Sequence, residues 1–550
     1  MRYILCLLLL IALPLQAAPP AAAVATAHPA ATEAGHEILA AGGNAFDAAV
    51  AVSAVLAVVE PYSSGIGGGG FWMLHRAEDG YEVMVDGRER APLEAHRDLY
   101  LDKSGAVVEG LSVDGPLAAG IPGEPAALVH ITKYYGQLSL KQALAPAIRA
   151  AKEGFKVTPH YRRMAGFRLE ALRASPAAAK VFLKEGEVPP EGYLIRQPDL
   201  ARTLEQLAKY GRDGFYAGPI GEMLVKQVHH AGGIWTQRDL RNYRVVEREP
   251  IRSTYRGLKV SSAPPPSSGG IALATMLNIL DGYDLAEMDE VTQTHLIVEA
   301  MRRAYRDRTE YLGDSDYVEV PIERLIDPKY ASGLRASINP RRATPSSDLP
   351  GFAVEPGGND TTHFSILDRE GSYVSATLSI NYPFGSGYMP PGTGVLLNDE
   401  MDDFSAKPGT PNVYGLVGAE ENAIEPGKRM LSSMSPTFVS GPDGVAILGT
   451  PGGSRIITMV LLGILEVVEG KAPDAWVSRP RIHHQYLPDT IFYEQAALSK
   501  SEVEGLVALG HKLKASERSW GNMQAVWWNR KGNRVEAASD PRVEGRAEVR

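Results

Sequence analysis

A stretch rich in proline and glycine, residues 339–360, limits what this chain of 550 residues can fold into. It holds four prolines and the pair Gly357-Gly358, a composition that sustains neither a helix nor a central strand. A hairpin pattern follows at once, with a strand over 361–367, a turn over 368–371 and a return strand over 373–380. The pattern predicts a connector that a cut can release, ending directly before Thr361.

Thr361 is the residue whose chemistry depends on such a cut. An internal threonine hydroxyl is a poor nucleophile, whereas a threonine freed as a new N-terminus carries its own base, an α-amine with a pKa of about 7.7–8.0. Threonine is also common in strands, so ordinary β structure is the alternative interpretation of the Thr361-Thr362 pair. The motifs farther along the chain decide between the two.

Composition indicates an ordinary globular protein that acts on small molecules. Hydrophobic residues make up 44% of the chain and charged residues 22%, and the formal net charge is −9. This acidic balance, without a clustered basic face, argues against a nucleic-acid partner. No linker separates two independently patterned halves, so we expect one large unit cut into two chains.

The N-terminal pattern predicts export. Arg2 precedes an apolar core over residues 4–15, and a small-residue cleavage site ends at Ala17. The core is too short to span a bilayer, so we expect a cleaved signal peptide over residues 1–17 and a periplasmic or secreted protein with no membrane span. Cys6 is the only cysteine of the chain, so the mature protein has neither disulfides nor a thiol nucleophile.

Hydrophobic periodicity predicts several elements around these motifs. Asn44 is a suitable N-cap for a buried helix over 45–59. A helix over 291–312, stopped by Gly313, carries one apolar face and is expected to lie on a sheet. A strand over 445–448 is followed by the break Pro451-Gly452-Gly453 and a helix over 454–468.

Seven segments in order closely resemble the γ-glutamyltransferases, the glutathione hydrolases of the N-terminal-nucleophile superfamily. They cover residues 61–70, 86–92, 264–270, 378–381, 397–405, 431–437 and 449–455. The resemblance spans essentially the whole mature chain. It implies a four-layer αββα fold of mixed α/β class, self-cleaved into a large chain, residues 18–360, and a small chain, residues 361–550.

The resemblance also implies the catalytic residues. Thr361 is expected to attack the preceding carbonyl during self-cleavage, and then the γ-carbonyl of a γ-glutamyl compound. Ser379, where many relatives carry threonine, and Asn381 are expected on the return strand of the hairpin, within about 5.5 Å of their cross-strand neighbours. Backbone N–H groups of Gly452 and Gly453, at a strand-to-helix junction, are expected to stabilise the oxyanion.

Recognition of a γ-glutamyl group requires opposite charges at a fixed separation. The resemblance assigns the α-carboxylate to Arg88, because a guanidinium binds a carboxylate bidentately, with Ser432 and Ser433 as further donors. By sequence alone Arg90 is a competitor. The α-ammonium is assigned to Asp403, Glu400 and Asn381, although an acidic run such as 399–403 is otherwise typical of a solvated turn.

Residues 408–418 resemble a lid loop present in some bacterial members, with Tyr414 shielding the site; a surface loop with a packed tyrosine is the alternative. No cofactor or metal is implied, since the adjacent His483 and His484 point apart on a strand.

The expected partners are glutathione and other γ-glutamyl compounds, with amino acids or dipeptides as acceptors. Two rival functions are a related acylase that removes groups such as glutaryl from a β-lactam nucleus, and an uncleaved exported amino-acid-binding protein.

Overall fold

The computed structural model describes residues 18–349 and 361–550. The predicted signal peptide, residues 1–17, and the part of the connector over 350–360 lie outside the described residues, as does the carbonyl side of the predicted cut. The described strands are β1 (Ala23–Thr26), β2 (Gly69–Arg76), β3 (Tyr81–Gly87), β4 (Phe155–Lys156), β5 (Leu194–Ile195), β6 (Val246–Arg248), β7 (Ile251–Tyr255), β8 (Leu258–Ser262), β9 (Thr362–Leu367), β10 (Tyr373–Ser379), β11 (Thr437–Gly441), β12 (Gly444–Gly449), β13 (Ile482–His483), β14 (Ile491–Glu494), β15 (Leu513–Ser516), β16 (Gln524–Asn529), β17 (Arg534–Ser539) and β18 (Arg546–Val549).

The described helices surround these strands. They are α1 (Pro29–Ala40), α2 (Ala45–Val59), α3 (Glu124–Tyr134), α4 (Leu140–Glu153), α5 (Pro159–Phe167), α6 (Leu169–Ala174), α7 (Pro176–Phe182), α8 (Pro198–Tyr210), α9 (Asp213–Tyr216), α10 (Gly218–His230), α11 (Gln237–Asn242), α12 (Gly269–Leu280), α13 (Glu290–Tyr311), α14 (Ile322–Leu325), α15 (Pro328–Ala336), α16 (Ile456–Val468), α17 (Pro473–Ser478) and α18 (Lys500–Ala508). Within the described ranges, none of them combines the length and the apolar character needed to cross a bilayer.

Two stacked sheets form the centre of the molecule. One has the order β18-β1-β9-β10-β2-β3-β6 and the other β17-β16-β12-β11-β8-β7. Helices α1 and α2 cover the outer face of the first sheet, and α12 and α16 cover the outer face of the second. These layers confirm the predicted αββα fold of mixed α/β class.

The central strands of the first sheet are buried on both faces, whereas its edge strands β18 and β6 are not. In β2, Trp72 and Leu74 pack toward the α2 layer, whereas Phe71 and Met73 pack into the core that also holds Ile447 of the second sheet. This follows from the two-residue period of a strand, which sends successive side chains to opposite faces. The hairpin of β9 and β10 lies in the middle of this sheet, which fixes the position of Thr361 at its end.

The predicted helix over 45–59 is confirmed in its bounds and its cap. Asn44 Oδ1 accepts the backbone N–H groups of Phe46 and Asp47 at 3.0 Å each, and Asp47 Oδ2 accepts the Asn44 backbone N–H at 3.1 Å, forming a capping box. Caps of this kind contribute about 1 kcal/mol. All fifteen residues of α2 are buried, as its Ala/Val content requires.

The helix predicted over 291–312 differs in its surroundings. It spans Glu290–Tyr311 with Leu312 as its C-cap, directly before the predicted stop at Gly313, but it packs against α12 and α18 instead of lying on a sheet. Arg302 and Arg303, which the sequence pattern leaves off the apolar face, are both buried, because Glu299 pairs with them within the same helix. Intrahelical ion pairs allow this helix to be covered on its charged side as well.

Candidate active site

Thr361 lies at the entrance to β9, opposite Ser379. The antiparallel register pairs Thr362 with Leu378, so its continuation places Thr361 across from Ser379. The strand therefore begins one residue later than the sequence pattern indicates. Thr361 is 5% exposed, and both residues line a cavity of about 20 Å³, roughly the space of one water molecule.

This cavity collects most of the residues that the sequence analysis selects. Its lining comprises Arg88, Thr361, Ser379, Asn381, Asp403, Tyr414, Leu416, Ser432, Ser433, Met434, Gly453 and Ile456. Of the selected residues, Glu400 lies behind Arg88 and Gly452 lines the neighbouring cavity. Residues from distant parts of the chain thus line one small cavity together with Thr361.

Arg88 follows β3 directly, and its guanidinium is buried among carboxylates. Nη1 donates to Glu400 Oε2 at 2.5 Å and Nη2 donates to Asp403 Oδ2 at 2.6 Å, while Nε donates to the Met430 carbonyl at 3.3 Å. Burial opposes the charge of Arg88, but the two carboxylates outweigh burial and hold its pKa above the ordinary value. The competitor Arg90 lies outside this cavity and donates to the Gly427 carbonyl and to Tyr317.

The carboxylates around Arg88 outnumber the nearby cations. Burial raises the pKa of Glu400 to about 7, against the opposing effect of Arg88, and burial also raises the pKa of Asp403. Glu89, 3.7 Å from Arg88 Nη1, is fully buried, and burial places its pKa well above the ordinary value. Such a pocket favours an additional positive charge, since a cation lets more of these groups ionise.

The run over 399–403 is buried, so the alternative of a solvated turn does not hold. Glu400–Asp403 form a 3-10 turn preceded by Asp399, and Asp399, Glu400 and Asp402 are all buried. Asp402 is held by Ser112, whose Oγ donates to it at 2.7 Å. Within this run Asp403 lines the cavity, while Asp399, Glu400 and Asp402 are buried behind it.

Ser432 and Ser433 line the same cavity from a loop that is bonded to the segment before α12. The Ser432 carbonyl accepts the backbone N–H of Ser268 at 2.8 Å and its hydroxyl at 2.7 Å. Arg308 of α13 donates to Ser268 Oγ at 3.1 Å and to Ser433 Oγ at 3.5 Å. These contacts fix the two serines, and Arg308 adds a buried positive charge beside Ser433.

Asn381 is not on the return strand, contrary to the prediction. Strand β10 ends at Ser379, and Asn381 has a left-handed backbone with a φ of +72°. Pro383 cannot donate to a ladder, which agrees with an end to the strand at this point. Asn381 donates from Nδ2 to the Asp399 carbonyl at 3.0 Å, and its backbone N–H donates to Ser379 Oγ at 2.7 Å.

Gly452 and Gly453 form a turn between β12 and α16. Their φ angles are +141° and +56°, and a 3-10 turn, Gly453–Arg455, intervenes before α16 begins at Ile456. The predicted strand, break and helix are therefore present, with the α-helix beginning at Ile456 rather than at Ser454. A Cβ on Gly453 would come within 2.5 Å of the Tyr414 ring, so glycine is required here.

Tyr414 covers the cavity from the loop over 408–418. Its hydroxyl donates to the Asn381 carbonyl at 2.5 Å, and the side chain is 3% exposed. Gln485 Nε2 donates to the Gly415 carbonyl at 3.0 Å, which ties the loop to the segment after β13. The loop is closed over the cavity in this structure.

Glu60 is a site residue that the sequence analysis missed. It caps α2, is 4% exposed, and its Oε2 accepts the hydroxyl of Thr362 at 2.8 Å. Burial raises its pKa to about 7. The available signal was a lone acidic residue followed by Pro61 at the end of an Ala/Val helix.

No histidine is among the described residues that line this cavity. His483 and His484 are buried with hydrogen-bond partners Thr458 and Asp489. Among the described residues, a group with the proximity needed for a metal is His295, Glu299 and His511. His295 Nδ1 and His511 Nε2 hydrogen-bond to each other at 2.8 Å, and Glu299 accepts from Arg303 and Thr344, so most of the donor atoms of the group already serve internal bonds.

Comparison with known proteins agrees with this geometry. Residues 31–549 match the family described as gamma-glutamyltranspeptidase. The chain is 44% identical over 497 residues to a glutathione hydrolase proenzyme of Pseudomonas sp. (strain A14), covering 89% of this chain and 86% of the relative.

Two solved structures share its fold. A cephalosporin acylase from Bacillus halodurans has a TM-score of 0.85 and 29% identity, with 96% of each chain covered. A γ-glutamyltranspeptidase chain from Helicobacter pylori has a TM-score of 0.58 and 42% identity, covering 59% of this chain and 93% of that one. The chain belongs to the γ-glutamyltranspeptidase family of N-terminal-nucleophile hydrolases.

Proposed function

We propose that this protein is an autoprocessed γ-glutamyltransferase and glutathione hydrolase, with Thr361 as its nucleophile. The observation that carries the proposal is the convergence of Arg88, Asp403, Ser432 and Ser433 on the cavity beside Thr361. The glutathione hydrolase proenzymes among its relatives give the substrate class. Glutathione contains the γ-glutamyl amide whose carboxylate and ammonium such a cavity can recognise.

The reaction takes place in two half-reactions. The α-amine of Thr361, freed by the cut after Asp360, accepts the proton of Thr361 Oγ as the oxygen attacks the γ-carbonyl. Backbone N–H groups of the Gly452-Gly453 turn stabilise the oxyanion, and the proton passes to the departing amine. Water or an amino acid or dipeptide amine then attacks the γ-glutamyl ester and regenerates Thr361.

The substrate enters the small cavity by replacing the ion pairs of Arg88 with ion pairs of its own. The substrate carboxylate takes the place of the Asp403 and Glu400 carboxylates on Arg88, and its ammonium pairs with the carboxylates thus released. Each charged group then keeps an opposite partner, which avoids the large penalty of a buried unpaired charge. Ser432 and Ser433 supply further donors, and the Tyr414 loop opens and closes over the bound group.

Variants of Thr361 test the proposal. Thr361→Ala removes the attacking oxygen, so a denaturing gel should show one uncleaved chain, with no release of a chromogenic amine from its γ-glutamyl derivative. Thr361→Ser should process slowly. The wild type should give residues 18–360 and 361–550, about 37 and about 20 kDa at the mean residue mass of this chain. N-terminal sequencing of the smaller band should begin Thr-Thr-His-Phe; another start would remove Thr361 from the mechanism.

A related acylase activity is the second candidate, favoured by the match to the cephalosporin acylase. A glutaryl group has no α-ammonium, and Asn381, Glu400 and Asp403 around Arg88 give this cavity the means to bind one. The hydrolase is therefore the better supported function. An uncleaved binding protein would give one band on the same gel.

The N-terminal pattern, residues 1–17, supports export to the periplasm or the medium. Mass spectrometry of the exported protein would test this, because cleavage of the signal peptide should leave Ala18 as the N-terminus.

A further inference from the structure

Thr361 lies between two cavities of very different size. One is the charged cavity of about 20 Å³ that holds Arg88 and Asp403. The other is a cavity of about 600 Å³, also lined by Thr361, within the range of small-molecule sites in proteins. Gly452 lines the larger cavity and Gly453 the smaller one, so the proposed oxyanion turn separates them.

The wall of the larger cavity is formed by three parts of the chain. Helix α5 contributes Arg163 and Phe167, the segment after β10 contributes Tyr382, and the loop after β15 contributes Arg518 and Trp520. The Phe167 and Tyr382 rings meet edge to face, 5.5 Å between centroids, and Phe167 is 57% exposed. The exposed Phe167 ring, in the cavity that Thr361 also lines, offers an apolar contact to a molecule bound there.

Two cations of this wall have no carboxylate partner within residues 18–349 and 361–550. Arg518 makes no side-chain hydrogen bond or ion pair with any residue in the described part of the chain, and Arg163 contacts the His160 ring, Nη2 to Nδ1, at 2.5 Å. Arg542, in contrast, is committed to Glu494 and Asp540. Glu60 supplies the lining carboxyl and is engaged by Thr362, while Glu544 accepts the His160 backbone N–H at 3.5 Å.

The transfer step requires an amine to arrive from this side. The acceptor nitrogen attacks the γ-carbonyl of the ester on Thr361 Oγ, a C–N bond forms, and the C–Oγ bond breaks. The proton lost by the nitrogen passes through the Thr361 α-amine to Oγ. Because the acyl group fills the smaller cavity, the amine, with the carboxylate that amino acids and dipeptides carry, occupies the larger one.

We propose that the larger cavity is the acceptor subsite, in which Arg163 and Arg518 bind the free carboxylate of an amino acid or dipeptide and Phe167 and Tyr382 contact its side chain. This inference rests on the proposed transferase function. The same subsite holds the departing amine of the donor, which for glutathione is a dipeptide with a free carboxylate. Acceptor selectivity is thus assigned to surface arginines rather than to the buried Arg88.

A pair of acceptors that differ in one charge tests the proposal. Transfer from a chromogenic γ-glutamyl anilide would be measured with glycylglycine and with glycylglycinamide, which lacks the carboxylate. In the Arg163→Gln/Arg518→Gln double variant, we expect the KM for glycylglycine to rise about tenfold or more, the effect of losing a charge-assisted bond, while that for the amide changes less than twofold. The double lysine variant should retain part of the preference.

Arg369→Gln is the matched control. Arg369 is an exposed arginine in the β9–β10 turn that lines neither cavity, so its variant should keep the wild-type ratio of the two KM values. An unchanged ratio in the Arg163/Arg518 double variant, or equal losses for both acceptors, would overturn the subsite. Failure of the wild type to release the chromophore at all would instead reject the proposed function, and the subsite with it.

Discussion

Asp403 Oδ2 lies 2.6 Å from Arg88 Nη2, although 315 positions of sequence separate the two residues. The pair joins the end of β3 to a 3-10 turn that follows the β9–β10 hairpin. Both groups are buried, and each is proposed to bind one end of the substrate. Variants at the two positions should therefore separate binding of the carboxylate from binding of the ammonium.

Arg88→Lys should weaken binding of the donor while leaving self-cleavage intact. Lysine keeps the positive charge but loses the bidentate geometry, at a cost of about 1.5–3 kcal/mol, or roughly 10- to 150-fold in kcat/KM. Gel bands and the kinetics of a γ-glutamyl anilide measure the two effects. Arg90→Lys is the control, since Arg90 lies outside the cavity; a larger loss in the control would contradict the assignment.

Asp403→Asn should damage recognition of the ammonium and spare the chemistry. The variant keeps one carbonyl acceptor and deletes the charge, so kcat/KM for a γ-glutamyl amide should fall about 10²-fold or more. A glutaryl amide, which has no amine, should lose little on the same preparation. Equal losses on the two substrates would reject the ammonium role and favour the acylase function.

Gly453→Ala should disable turnover through a clash with the lid. The new Cβ would lie 2.5 Å from Tyr414 Cδ1 and would also face a φ of +56°, so the turn must shift. Loss of an oxyanion donor typically lowers kcat by about 10²- to 10³-fold. Gly218→Ala has almost the same φ, +57°, with nothing within 4 Å of the new atom. It should lose some stability and keep its kcat; a similar loss of kcat in both would show that backbone strain alone is responsible.

Glu60→Gln should change the pH dependence of stability in the uncleaved Thr361→Ala background. The pKa of Glu60 is raised from 4.5 to about 7, so the folded chain holds a proton that the unfolded chain loses between these values. Stability of the Glu60 chain thus falls as pH rises through this window, by up to about 3 kcal/mol.

Thermal unfolding would follow this effect. The Glu60→Gln chain should match its parent near pH 4.5 and have the higher Tm at pH 8. A gap in Tm that stays constant with pH would contradict the assignment. Exposed Glu191 gives the control substitution, Glu191→Gln, which should show no such divergence.

Local patterns predict local structure well in this chain. The cap at Asn44, the bounds of α2 and the β9–β10 hairpin depend on neighbouring residues and are confirmed. Motif resemblance selects residues that the fold does bring together around Thr361. The approach of Arg88 to Glu400 depends on packing between elements 312 positions apart, which no local pattern encodes.

Errors arise where a local signal competes with tertiary structure. Asn381 is predicted on the return strand, but its left-handed backbone belongs to the turn after Ser379, which the local pattern does not show. Composition alone leaves a solvated turn open for the acidic run over 399–403, and the ion pairs of Glu400 and Asp403 with buried Arg88 decide against it. Glu60 has no motif of its own and became a site residue because α2 ends beside β9.

The order of strands in the first sheet determines how the two halves of the chain can behave after cleavage. Strand β1 from the beginning of the chain is inserted between β18 and β9, and β10 is paired with β2. A cut before Thr361 therefore yields two fragments whose strands are hydrogen-bonded neighbours in one sheet. Separating the fragments would break the β18–β1, β1–β9 and β10–β2 ladders at once. Specific activity should consequently be independent of dilution, and the fragments, once unfolded apart, should not reassemble as ordinary subunits do.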